Sequence, residues 1–222
     1  MTHFEQELAA LKDKLLTMAS LAESAVNKAI QALMERDDDL ASAVKEEDSA
    51  IDRLEMELDG MAIDLLAKAP LASDLRLITV VMKISHDLER VGDEATTIAR
   101  RSLALSREPP LPPPSELAHL AKKALEMLDD ALDAFVNRHP EKARAVIPRD
   151  QEVDLTNKQL HHELSDHMVQ QPAVILRCLN LMFISKSLER IADHATNVAE
   201  EVVYLYEAKD IRHSGAGRAS AE

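Results

Sequence analysis

Residues 82–99 and 182–199 are one segment written twice. Met82-Lys-Ile-Ser-His-Asp-Leu-Glu-Arg-Val-Gly-Asp-Glu-Ala-Thr-Thr-Ile-Ala99 lies over Met182-Phe-Ile-Ser-Lys-Ser-Leu-Glu-Arg-Ile-Ala-Asp-His-Ala-Thr-Asn-Val-Ala199 with ten identities in eighteen positions. A displacement of 102 likewise sets Asp48, Ile51 and Asp52 over Asp150, Val153 and Asp154. A chain duplicated in this way is expected to fold as two like units. Five of its nine prolines fall in the segment 108–114, which cannot be helical and favours stiff polyproline II. The expected organisation is therefore a first unit over 1–107, a linker at 108–114, a second unit over 115–210 and a mobile tail over 211–222.

Apolar residues on either side of the linker recur at the helical period, as in Phe4, Leu8, Leu11, Leu15 and Met18. The spacing predicts helices over about 3–35, from the polar cluster Arg36–Asp39 to Pro70, and over 71–107. It then predicts helices over 115–138, 140–170 and 172–210, with Pro148 bending or interrupting the fifth. Aromatic residues make up 2% of the chain and glycine numbers four, which suits helices and not sheets. The fold class is all-α: two tandem three-helix bundles.

The chain carries 26 Lys plus Arg against 40 Asp plus Glu, a net charge of −14. That charge excludes general affinity for nucleic acid or anionic membranes. No stretch approaches the ~18 uninterrupted apolar residues of a membrane span. Cys178 is the single cysteine, so no internal disulfide, paired-cysteine zinc site or iron–sulfur cluster can form, and a reducing cytoplasm is expected. In its apolar surroundings Cys178 reads as core.

Each half holds two acidic pairs at i, i+4: Asp48/Asp52 with Glu89/Asp93, and Asp150/Asp154 with Glu189/Asp193. Such pairs share a helix face and repel by roughly 0.2–0.5 kcal/mol each. Glu89 and Asp93 point away from the stripe of Val81, Ile84, Leu88, Val91, Ala95 and Ile98, so a joint site would open at the surface. Facing carboxylates on adjacent helices supply hard oxygen ligands, and a cation turns their repulsion into attraction. The alternative is a set of solvated faces with Arg90 and Arg190 as counter-charges. The first ladder continues through Glu55 and Asp59; the second ends at Asn157 and His161, with His194 beside Asp193, so it should better tolerate zinc, manganese or iron. His86, His161, His162 and His167 read as polar-face residues or caps.

There is no His-Glu-x-x-His, no pair of Glu-x-x-His motifs as in the di-iron bundles, no glycine-rich phosphate loop and no Gly-x-Ser-x-Gly, which makes catalysis the weaker class of function. A metal-dependent hydrolase or metal-storage bundle using the same carboxylates stays open as an alternative, as does a purely structural helical protein.

Asp87-Leu-Glu-Arg-Val-Gly-Asp93 and the run from Asn180 to Glu200 resemble the repeated signature of the PhoU family. Phe4–Met18 is similar to that family's opening helix, and Asp74–Ile78 to the start of its third. The resemblance spans nearly the whole chain and departs at Glu94 and Thr97, where the second half has His194 and Asn197. It implies two three-helix bundles about a pseudo-twofold axis, with multinuclear metal clusters at Asp48, Asp52, Glu89, Asp93, Asp150, Asp154, Glu189 and Asp193. The metal is divalent or trivalent: iron, zinc, manganese or magnesium. The resemblance also implies a non-enzymatic adaptor, often homodimeric, that represses the phosphate-starvation response. Its expected partners are the ATPase subunit of the phosphate ABC transporter and a PhoR-type sensor histidine kinase. It would sit in the cytoplasm, held at the inner membrane face through those partners without inserting.

Overall fold

The computed structural model describes residues 2–68, 71–111 and 114–212. Its helices are α1 (His3–Glu35), α2 (Asp38–Leu66), α3 (Ala72–Ser106), α4 (Ser115–Val136), α5 (Pro140–Val146), α6 (Asp150–Gln170) and α7 (Ile175–Glu207). No strand occurs among the described residues.

Local chemistry sets the helix ends. At the start of α1, the Glu5 N–H donates to Thr2 Oγ1 and the Thr2 N–H donates to Glu5 Oε2, a reciprocal capping box. Asp37, within the expected polar cluster, accepts from the Leu40 N–H at 2.9 Å and opens α2. Arg36 and Arg138, which correspond in the repeat, both take φ 55°, the left-handed conformation that ends a helix. Pro148 interrupts the expected fifth helix. Without an N–H to continue the ladder, residues Ile147–Arg149 form a 3-10 turn that separates α5 from α6. Ala208, also at φ 55°, stops α7 three residues short of the expected end at 210.

The linker is clipped from both halves. Arg36 Nη2 donates to the carbonyls of Leu105, Ser106 and Glu108, and Arg177 Nη1 donates to that of Pro109 at 3.0 Å. Pro114 has φ −56° and ψ 143°, as polyproline II requires; Pro112 and Pro113 lie outside the described residues. Most of the tail expected to be mobile, from 213 on, also lies outside them. Its first residues do not behave as a tail: Ile211 packs against the core, and Arg212 pairs with Asp210 and Glu201.

One apolar core runs through both halves. Alanines 22, 25 and 29 on α1 and 95 and 99 on α3 are buried in the first, where small side chains let long helices approach closely. The halves meet along α3 and α7, which run antiparallel. Lys83 pairs with Glu201 at 3.0 Å, the His194 ring nitrogen Nδ1 lies 2.8 Å from Asp87 Oδ1, Arg190 pairs with Glu94 at 3.0 Å, and Arg101 donates to Asn180 at 3.3 Å. The joint obeys the repeat. Exchanging the halves turns the position pair 83/201 into 183/101, and there the Arg101 guanidinium lies 4.2 Å from the Phe183 ring centre.

Candidate metal centre

The two acidic seams run where α2 packs on α3 and where α6 packs on α7. In the first, close approach is possible because Gly92 has no side chain. A Cβ there would meet Ile51 Cδ1 at 3.0 Å and Asp48 Oδ1 at 3.3 Å. The second half moves the methyl group across the contact: Gly92 becomes Ala192 and Ile51 becomes Val153, both buried.

In the first seam Asp48 is half-buried beside Asp52 and Asp93. Burial above all, then those two charges, push its carboxyl above the usual carboxylate range, with the nearby Thr96 hydroxyl opposing the rise. Glu89 is pushed up by burial and then by Asp93, with Arg90 opposing. Arg90 pairs with both, through Nε to Glu89 at 3.2 Å and through Nη1 to Asp93 at 3.0 Å. The Arg90 contact is off the hydrogen-bonding direction, so the buried Glu89 Oε2 accepts no directed hydrogen bond.

The second seam draws all four of its carboxylates together. Burial, then Asp193, Asp154 and Glu189, push Asp150 up to about 6. Asp193 is raised chiefly by burial, in spite of Lys186. Glu189 is also raised by burial first, against an ion pair with Lys186, and it meets Asp154 acid to acid. Glu189 is only 8% exposed and Asn157 only 7%. Asp150 Oδ1 and Asn157 Oδ1 are buried without a hydrogen-bond donor. Glu189 thus does not stand on an open face, because α6 covers it on α7, while Asp150, Asp154 and Asp193 keep partial exposure. Hard, orphaned oxygens beside clustered negative charge are a donor set that fits a cation.

The histidines take separate places. His194 faces away from the carboxylates and across the joint, where Asn197 Nδ2 also donates to Asp87 Oδ1 at 3.0 Å. His161 Nε2 lies 3.0 Å from Ser185 Oγ. Neither ring is gathered with the acids of the second seam. His86 is exposed, as a polar-face residue is expected to be, and lies with Glu55 and Glu89. Ligand atoms of these three all fall within 4.8 Å of one another, the one such group among the described residues. A signal for it existed in His86-Asp-Leu-Glu89, whose i, i+3 spacing puts imidazole and carboxylate on one face. Cys178 is buried and unpaired, as expected of a core residue.

Comparison with known proteins follows the repeat. The PhoU domain family matches residues 15–102 and again 117–202. A Pseudomonas putida protein named phosphate-specific transport system accessory protein PhoU homolog is 41% identical over 99% of this chain and 86% of its own length. The Pseudomonas aeruginosa protein of the same name is 40% identical over 99% of this chain and 91% of its own. The crystal structure of PhoU from Pseudomonas aeruginosa superposes with a TM-score of 0.91, covering 93% of this chain and all of that one at 40% identity. That of the phosphate transport system regulatory protein PhoU from Streptococcus pneumoniae gives 0.87 at 30% identity, covering 94% and 99%.

Proposed function

The chain belongs to the PhoU family, and from that premise we propose that it is a metal-binding accessory protein of a phosphate-specific transport system. In this reading it represses the phosphate-starvation response by coupling the transporter's ATPase subunit to a PhoR-type sensor kinase. The observation that carries the proposal is the placement of α3 and α7. Each presents a carboxylate pair, Glu89/Asp93 or Glu189/Asp193, on one face and the ion pairs joining the halves on another. The charge state of a seam is thus one helix width from the joint.

Asp48, Asp52, Glu89 and Asp93 would hold metal in the first half, and Asp150, Asp154, Glu189 and Asp193 in the second. When bound, iron, zinc, manganese or magnesium supplies positive charge that offsets the mutual repulsion of these acids. The chain's own part is positional. Arg90 pairs with Glu89 and Asp93 and Lys186 pairs with Glu189, while Asp87 ties α3 to His194 and Asn197 of the other half. Repression requires that the acidic outer surface bind the transporter differently in its different states, since equal affinity for two states shifts neither. No helix among the described residues is long and apolar enough to cross a membrane; in this reading attachment to the inner membrane face runs through the partners. A homodimer is the expected assembly.

The test compares the wild type with a variant carrying alanine at Glu89, Asp93, Glu189 and Asp193, by elemental mass spectrometry and by capture of the purified ATPase subunit and kinase. The variant is expected to lose metal and partner capture together. Capture retained after metal is lost would reduce the seams to a stabilising role. Absence of both partners from the wild-type capture would sink the adaptor reading.

A further inference from the structure

We infer that Glu55, His86 and Glu89 form a mixed nitrogen–oxygen site for a borderline divalent ion such as zinc, giving the first half a metal preference that the second half lacks. Neither Glu55 nor His86 belongs to the repeated acidic pairs. Both are replaced in the duplicate, Glu55 by Asn157 and His86 by Lys186. The inference rests on the reading that the seams hold metal, and it assigns a chemical class to one of them.

Three observations carry it. His86 Nδ1 and Glu55 Oε1 are 3.3 Å apart, which matches the separation of about 3.3 Å between two ligands of a tetrahedral ion with bonds near 2.0–2.1 Å. Glu89 supplies the third arm from the adjacent turn of α3, and its buried Oε2 accepts no directed hydrogen bond. The third observation is what the other half does at the same place. There Lys186 sets a permanent cation against Glu189, and the partner from α6 is the neutral amide of Asn157. The first half has a second carboxylate and an imidazole at those two positions, and its cation Arg90, 3.2 Å from Glu89, comes from the neighbouring position on α3 and is shared with Asp93.

The donor types decide the class. Imidazole favours zinc, iron, nickel and copper over magnesium, whereas the all-oxygen set of the second half suits hard ions. The His86 side chain is 60% exposed, so its ring is reached from solvent and can turn toward an ion without disturbing the core.

The test is made on the full chain in saturating magnesium, which occupies the hard-oxygen positions. Zinc is titrated against a chromophoric chelator, and cobalt(II) absorption reports nitrogen coordination. The wild type is expected to hold one magnesium-resistant zinc per chain, and the Glu55→Asn/His86→Lys variant, which copies the second half, none. The reciprocal Asn157→Glu/Lys186→His variant should gain a second. Circular dichroism checks that each variant is folded, and Glu55→Gln with His86→Gln offers a milder pair should the first misfold. Equal magnesium-resistant zinc in wild type and first-half variants would overturn this inference while leaving metal binding by the seams intact. A wild type that takes up neither zinc nor magnesium overturns the metal reading itself, with the adaptor reading still testable by partner capture.

Discussion

The two seams share their carboxylates at matching positions but solve the resulting repulsion differently. The first stays wetter: Asp52 and Asp93 are exposed, Arg90 reaches back to two acids, and Glu55 and His86 stand at the rim. The second is drier, with Asn157 and Glu189 buried and Lys186 beside Glu189. The lesson lies in the neighbours and not in the repeated acids. Duplication preserved the charged groups, while desolvation and counter-charge diverged around them, and those two terms set how strongly each seam demands a cation.

The largest effect that would sharpen the contrast lies at the joint. Glu201 is 4% exposed and held by Lys83 and Arg212. Replacing both cations with alanine strands a buried charge and should destabilise the chain by about 3–5 kcal/mol in urea unfolding. At the mirrored position Arg101→Ala removes a contact with the half-exposed Phe183 and a 3.3 Å hydrogen bond to Asn180, strands no buried charge, and should cost about 1 kcal/mol. Equal losses would mean that the joint does not distinguish its two ends.

Next comes the methyl exchange at the helix crossings. Gly92→Ala should destabilise by about 1 kcal/mol, because crowding against Ile51 exceeds the helix-propensity gain. In an Ile51→Val background, which reproduces Val153, the same change should be neutral or stabilising. A double-mutant cycle with no coupling would show that the crossing is not size-matched.

The smallest effect is electrostatic. In chelator-treated protein, folded Asp150 keeps its proton up to about pH 6, whereas the unfolded chain releases it near the ordinary 3.8. The folded form therefore binds more protons across this window, so stability falls as pH rises from about 4 to 6 and does not return above it. The midpoint should be higher at pH 5 than at pH 7.5. Asp150→Asn should flatten that dependence and raise the midpoint at pH 7.5 by roughly 2–4 °C. Asp48→Asn should act in the same direction and less, since Asp48 is less buried. A midpoint that rises steadily from pH 5 to 7.5 would contradict the assignment.

Much of this was legible in the sequence, and the exceptions share a cause. Helical periodicity and proline located the elements, Pro148 marked the α5–α6 break, and the repeat identified the acidic pairs. An apolar stripe tells which face of α3 turns into its own bundle. It carries no information about the second contact that α3 makes through Lys83, Asp87, Glu94 and Arg101, all polar residues that look solvated in sequence. For the same reason the adjacency of His194 to Asp193 in the chain suggests a second site more tolerant of zinc, manganese or iron, although the ring points across the joint. Glu189 looked exposed because α7 is packed on several sides, which breaks the link between polarity and surface.

The antiparallel pairing of α3 and α7 has a spectroscopic consequence. The chain has no tryptophan and two tyrosines, both on α7 and two residues apart, so they face nearly opposite sides of the helix. The Tyr204 ring lies 5.5 Å from Lys83 Nζ and 5.7 Å from the Arg76 guanidinium, both in the first half. Tyr206 donates its hydroxyl to the Phe135 carbonyl within the second. A Tyr206→Phe chain would therefore carry one ultraviolet reporter, placed where the halves touch. Its signal would follow their docking separately from the folding of either bundle.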